Sequence, residues 1–241
     1  MNLLEHTLVI NLDSREDRQI NVYAQLQRIG VYHPERVSAV KTKDGAIGCS
    51  LSHIKSLEVA RKNNWEYVCI VEDDFKCVDT ETFKSSITKF QNNSVKDNIQ
   101  WDVLLIGGNN CPPYYNLPNV DYCVQITNCQ SAIGYIVKRD FYNTLISNFR
   151  EGVGKFMRDT QNKREYAVDM YWKHLQPSKR WFLLIPLTIT QETSYSDIEE
   201  KVMNYDSLML DINKSWLFSN PFQTDNILKN MICIKGNGHN N

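Results

Sequence analysis

Glu72-Asp73-Asp74 follows the apolar run Val68–Val71 directly, and Phe75 restores the apolar pattern. Three adjacent carboxylates at the mouth of a buried strand repel one another, so the triplet needs a counter-charge. On an extended backbone Glu72 and Asp74 share one side while Asp73 points the other way. Two hard oxygen ligands at i and i+2 make half of a Mg²⁺ or Mn²⁺ site of the kind that substrate phosphates complete. The same residues also suit a plain acidic turn in which Asp73 or Asp74 caps a local backbone group.

A second group lies near the N-terminus. In "NLDSREDR", Asn11 and Asp13 leave a strand while Arg15 and Arg18 stand one turn apart on the helix that follows. Such a set can hold the base, ribose and phosphates of a nucleotide. It reads equally as a solvated, well-capped helix start. Tyr114, Tyr115 and Trp172 are candidates for stacking on sugar faces, and Gly107-Gly108 for close backbone approach to a ligand.

The elements that must position these residues follow from periodicity. "TLVINL" (Thr7–Leu12) is a continuous apolar run, as expected of a strand covered on both faces. Ser14 and Asp17 suggest a capped helix carrying Ile20, Tyr23, Leu26 and Ile29, with Gly30 at its end. "VSAV" (Val37–Val40) is a second strand and "SLSHIKSLEVARKN" a second helix. "YVCIV" leads into the carboxylates, and Asp79 caps a third helix. "WDVLLIGG", "YCVQI", "SAIGYIVK" and "WFLLIP" read as further strands, "CPPYYNLP" as loop, and Arg139–Phe149 as helix. "GVGKFMRDTQNKRE" reads as a polar, flexible stretch and "YAVDMYWKHL" as a short helix. This alternation implies an α/β fold around a mainly parallel sheet.

The bulk properties exclude more than they assign. A chain of 241 residues with 42% hydrophobic and 23% charged content is an ordinary globule with one sizeable core. A net charge of −1 provides no field for nucleic acid or an anionic membrane. The seven scattered cysteines form no CxxC pair, so buried reduced thiols are expected rather than a zinc site; a Cys123/Cys129 bridge is the alternative. The N-terminus lacks the pattern of a signal peptide and no run is apolar enough to span a membrane. A cytoplasmic protein is expected.

In order along the chain, "VINLDSREDR", "GAIGCSLSHIKSLEVA", "VCIVEDD", "DVLLIGG", "SAIGYIVKRDFYNTL", "VDMYW" and "ITQETSYSDIE" resemble the landmarks of glycosyltransferase family 25, over roughly residues 6–200. That family includes bacterial lipooligosaccharide galactosyltransferases and collagen hydroxylysine galactosyltransferases, with relatives in giant viruses. The resemblance implies a GT-A-like, Rossmann-like single α/β domain over residues 1–200, with 201–241 as a C-terminal extension packing on it and fraying at its end. It implies a UDP-sugar donor, typically UDP-galactose, inversion at the anomeric carbon, and Mn²⁺ or Mg²⁺. The acceptor would be a glycan or a collagen-like hydroxylysine, and a homodimer is the assembly allowed for.

Carried onto this sequence, the resemblance makes Glu72 and Asp74 metal ligands, with Asp197 offered as a third. The late His that GT-A enzymes commonly use as a third ligand has no counterpart between His174 and His239, and Gln191, Asp197 or water could substitute. Asn11, Asp13, Arg15, Arg18, Gly48, Ser52, Asp73, Gln191 and Ser196 become donor-binding residues. His53 belongs to the same turn as Gly48 and Ser52, and a structural hydrogen bond is its competing role. Asp169 in "VDMYW" becomes the catalytic base, with a sugar-hydroxyl ligand as its alternative. A non-catalytic glycan- or nucleotide-sugar-binding relative, and a metal-dependent phosphohydrolase, are the rival readings.

Overall fold

The structure is a computed structural model that describes residues 2–159, 163–196 and 201–214. The chain runs β1 (Thr7–Asn11), α1 (Glu16–Arg28), β2 (Glu35–Ser38), α2 (Gly45–Lys62), β3 (Tyr67–Glu72) and β4 (Phe75–Cys77). It continues through α3 (Thr80–Asn93), β5 (Val103–Asn110), β6 (Tyr114–Asn116), β7 (Cys123–Ile126), β8 (Cys129–Lys138), α4 (Tyr142–Arg158) and α5 (Val168–Tyr171). Then come β9 (Trp181–Leu184), β10 (Ile189–Gln191), β11 (Ser194–Ser196), β12 (Lys201–Met203) and α6 (Asp206–Met209).

An 8-stranded sheet in the order β2-β1-β3-β8-β5-β9-β7-β6 forms the centre. The pairings set β1, β2, β3, β5, β6 and β9 in one direction and β7 and β8 in the other. The α/β class with a mainly parallel central sheet is therefore the one the sequence implied. Each face carries its own core. Val9, Val71, Leu104 and Ile136 pack against residues of α1 and α3, among them Leu26, Phe83 and Phe90. Leu8, Ile70, Leu105 and Tyr135 pack on the other face against Leu57 of α2, Leu145 and Phe149 of α4, and Trp172. Both faces are covered, which is why the strands read as unbroken apolar runs.

Several local expectations need correcting. Neither Ser14 nor any other side chain caps α1, which starts at Glu16, and its Ile20 is 70% exposed while Val22, Leu26 and Ile29 are buried. The Asp79 cap of α3 is present, its carboxylate accepting from the Thr82 amide at 3.0 Å. Helix α4 does not stop at Phe149 but runs to Arg158, because Phe149, Gly152 and Phe156 continue one buried face through the polar stretch. β6 lies inside the proline-rich segment read as loop. The hairpin-like pairing of β4 with β10 was not legible, since three residues are too few for a period. Cys123 and Cys129 are free thiols, as are Cys49, Cys69, Cys77 and Cys111.

The C-terminal extension is described only to Lys214; residues 215–241 lie outside the described residues. Within it Met209 is buried in the sheet's core and the Thr190 hydroxyl donates to Asp206 at 2.9 Å. Among the described residues no helix is long and apolar enough to cross a membrane.

The glycines fit the packing more than a ligand. A Cβ on Gly107 would meet Ile189 at 2.7 Å, and one on Gly108 would meet the Cys129 sulfur at 2.7 Å, so both admit protein neighbours. Gly48 lets α2 approach the segment after β2: a Cβ there would lie 2.4 Å from the Val40 carbonyl oxygen. Backbone cannot yield as a side-chain tip can, so Gly48→Ala is expected to destabilise by about 1–3 kcal/mol in denaturant unfolding. Wild-type stability in that variant would contradict the close approach.

Candidate active site

Along the chain β1 leads to its neighbour β2, and the path then crosses back to β3 on the other side of β1. The carboxyl ends of β1 and β3 therefore flank the point where strand order reverses, the place where open α/β sheets bind ligands. Asn11 ends β1 and Glu72 ends β3.

The three carboxylates diverge from there. Glu72 turns toward α2, where its Oε1 lies 3.2 Å from His53 Nε2 and accepts from the Cys49 thiol at 3.4 Å. His53 is buried and its Nδ1 lies 2.8 Å from the Tyr135 hydroxyl. Burial pushes Glu72 up, but the bonds from His53 and Cys49 and the charge of Arg18 outweigh it and hold the carboxyl below its ordinary value. Asp73 turns toward α1, accepting from Asn11 Nδ2 at 2.8 Å and from the Arg18 guanidinium at 3.0 Å. Burial dominates there and raises its pKa.

Asp74 is different. Its Oδ2 is 3.8 Å from Arg18, and its Oδ1 is buried with no hydrogen-bond partner. Burial, then the charge of Glu72, pushes its pKa up to about 8 against the pull of Arg18. An orphaned buried carboxylate oxygen beside a second carboxylate is the arrangement a hard cation would complete.

A cleft of about 450 Å³ opens on this side, lined by Arg15, Arg18, Asp73, Asp74 and Glu192 among others. Arg15 pairs with Asp17 at 2.9 Å on its rim. The β10–β11 connection closes on the carboxylates, with the Glu192 amide donating to the Asp74 carbonyl at 2.7 Å.

Asp169 arrives from α5. Its Oδ2 accepts from the Ser131 amide at 2.9 Å, and Ser131 is held at φ 76°, a costly conformation for a non-glycine residue. Burial, followed by the charge of Glu72, raises its pKa against the Ser131 bond. The distant segments around Glu72 and Asp169 therefore share one electrostatic neighbourhood.

Other expected site residues serve the scaffold. Both amide hydrogens of Asn11 are taken, by Asp73 and by the Arg15 carbonyl at 2.9 Å, and its Oδ1 accepts from Arg36 at 3.0 Å. No donor remains on that side chain for a nucleotide. Ser52 is buried, donating to the Gly48 carbonyl at 2.7 Å and accepting from the Val40 amide at 2.8 Å. Ser52 and Gly48 thus fix the chain after β2 and do not face the cleft. Trp172 is fully buried, its ring nitrogen donating to the Cys129 carbonyl at 2.9 Å, which removes it from sugar stacking. Tyr115 is exposed, and the Tyr114 hydroxyl donates to Asn213 at 2.6 Å.

Asp13 is exposed and bound by Arg36 at 2.5 Å and Ser38 at 3.0 Å. Arg36 was missed in the sequence because one arginine on a four-residue strand carries no pattern. Gln191 pairs with Phe75 through β10 and β4, next to the carboxylates. Ser196 ends β11, and Asp197 lies outside the described residues.

Residues 35–106, the stretch from β2 through the first half of β5, match the model of glycosyltransferase family 25 (LPS biosynthesis protein). The match covers 72 of the chain's 241 residues. The enzyme class this supports is a transferase of sugars. No curated protein matches the sequence. Among solved structures, protein A197 from STIV is similar at 13% identity and TM-score 0.46, over 83% of this chain and 94% of its own. A glycosyltransferase involved in glycosylation of the major capsid of PBCV-1 is similar at 10% identity and TM-score 0.46, over 76% of this chain and 82% of its own. A Drosophila β1,4-galactosyltransferase 7 in complex with manganese, UDP-Gal and xylobiose is similar at 14% identity and TM-score 0.33, over 59% of this chain and 52% of its own.

The orphaned carboxylate has a measurable consequence in chelator. Folded Asp74 keeps its proton to about pH 8, whereas in the unfolded chain it loses it near 3.8. The folded state then binds the extra proton between those values, so this contribution to stability falls as pH rises from about 4 to about 8. Asp74→Asn removes that slope and should exceed wild type at pH 8 by about 1–3 kcal/mol, with the two converging near pH 4. Equal unfolding midpoints at both pH values would mean that Asp74 ionises without penalty.

Proposed function

We propose that the protein is a metal-dependent, inverting glycosyltransferase that moves a hexose, with galactose from UDP-galactose as the first choice, onto a hydroxyl of a glycan or hydroxylysine-type acceptor. The observation that carries this is the partnerless Asp74 oxygen at the strand-order switch, beside a cleft rimmed by Arg15 and Arg18. The family 25 match supports the transferase class.

Asp74 and Glu72 would hold Mn²⁺ or Mg²⁺ through hard oxygens, with Gln191 or Asp197 offered as a further ligand. When bound, that ion supplies positive charge to the departing diphosphate. Arg15 and Arg18 lie where charge-assisted hydrogen bonds can orient the donor phosphates. Asp73, held by Asn11 and Arg18, fixes the turn so that Asp74 faces the cleft. Asp13 with Arg36 and Ser38 offers a polar exposed edge for the nucleoside.

Asp169 takes the acceptor proton in this reading. The acceptor oxygen attacks the anomeric carbon from the face opposite UDP, the bond from that carbon to the phosphate oxygen breaks, and UDP leaves with the electron pair. A base with a raised pKa retains affinity for the proton it removes, and burial supplies that rise at Asp169. Residues 1–200 form the catalytic domain in this proposal, with 201–241 as an extension upon it.

Incubation with a panel of UDP-sugars and Mn²⁺, with and without acceptors, reads out UDP release. Asp169→Asn keeps the shape and removes the proton acceptor, so transfer should fall ~10²–10⁴-fold while UDP affinity stays near wild type. Normal transfer, or a parallel loss of UDP binding, would show that another carboxylate is the base. Arg15→Ala should weaken UDP binding in calorimetry by about 1.5–3 kcal/mol, and wild-type affinity would return Arg15 to the helix surface.

A further inference from the structure

Cys49, His53 and Glu72 bring a thiol, an imidazole nitrogen and a carboxylate oxygen within 4.8 Å of one another. Their spacing is informative. Tetrahedral bonds of ~2.0–2.1 Å to nitrogen and oxygen and ~2.3 Å to sulfur place neighbouring ligand atoms about 3.3–3.6 Å apart. Here Glu72 Oε1 stands 3.2 Å from His53 Nε2 and 3.4 Å from the Cys49 sulfur. Cys49 and His53 are four residues apart on α2, which puts them on one helical face.

The site is also built behind its ligands. His53 is fully buried, and its other ring nitrogen meets the Tyr135 hydroxyl at 2.8 Å, the outer contact that fixes a ligating imidazole. Glu72 and Cys49 are half-buried, so a cation can enter and a fourth position can face outward. From this geometry we infer that Cys49, His53 and Oε1 of Glu72 form a three-ligand site for a thiophilic divalent cation such as Zn²⁺, adjacent to the hard-ion position at Asp74, which would share Glu72 through its other carboxylate oxygen.

Without the cation the Cys49 thiol donates to Glu72. A hard ion gains too little from sulfur to displace the thiol proton, while a soft one forms the thiolate and releases it. His53 then presents the Nε2 lone pair and donates its Nδ1 proton to the Tyr135 oxygen. Glu72 becomes fixed on the α2 side. The inference stands on these residues alone and does not need the proposed sugar transfer.

Co²⁺ added to the whole protein after chelator removal is the probe, followed by absorption. A thiolate-to-cobalt charge-transfer band that one equivalent of Zn²⁺ abolishes is expected in wild type. It should be absent in Cys49→Ser, which retains the fold by circular dichroism because the change is nearly isosteric. Tyr135→Phe should keep the band and bind ~10–100-fold more weakly. No band in wild type, or an undiminished band in Cys49→Ser, overturns the site, the latter by assigning the thiolate to another cysteine. Both readouts are independent of UDP release, so failure here is separable from failure of the transferase reading.

Discussion

Three carboxylates in succession at the end of a doubly covered strand cannot share one partner, and the site is organised by how they are separated. Glu72 goes to the imidazole and thiol of α2, and Asp73 to the amide of β1 and the guanidinium of α1. Asp74 keeps one oxygen buried and unmatched. Alternation along the strand supplies the first split, and the tight turn into β4 supplies the second. The helices on opposite faces of the sheet are thereby tied to adjacent residues of a single strand end.

This division explains which positions were legible. Unbroken apolar runs gave the central strands, because both faces of the sheet are covered. The carboxylates announced themselves because burying charge is costly and demands a reason. Of the partners only His53 did, with a structural hydrogen bond as one of its roles; Tyr135 and Arg36 come from other elements and join the site only through the fold. Asn11, Gly48 and Ser52 were visible as unusual residues, but the sequence could not say whether they face a ligand or the backbone. Gly48 and Ser52 meet neighbouring backbone, and Asn11 is held between Asp73, Arg36 and the Arg15 carbonyl.

Boundaries failed where polarity misled. The stretch after Phe149 reads as flexible because its outward residues are charged, yet Val153 packs against the sheet's second core and Phe156 is buried. Conversely, Trp172 reads as an exposed platform and is instead among the largest fully buried side chains. In both cases the deciding contacts are long-range, so no local window contains them. The β4–β10 pairing is of the same kind, joining residues 75–77 to 189–191 across nearly half of the chain.

The position of β8 between β3 and β5 has a consequence for assembly. Residues 67–71 of β3 find their outer hydrogen-bonding partners only at residues 134–138. The stretch from 35 to 106 therefore lacks both neighbours of its central strand, β1 on one side and β8 on the other. Cut out alone, it would expose two rows of unpaired backbone groups and would be sticky rather than stable. During synthesis the carboxylate end of β3 waits, with one edge open, until the ribosome has delivered the strand that closes it.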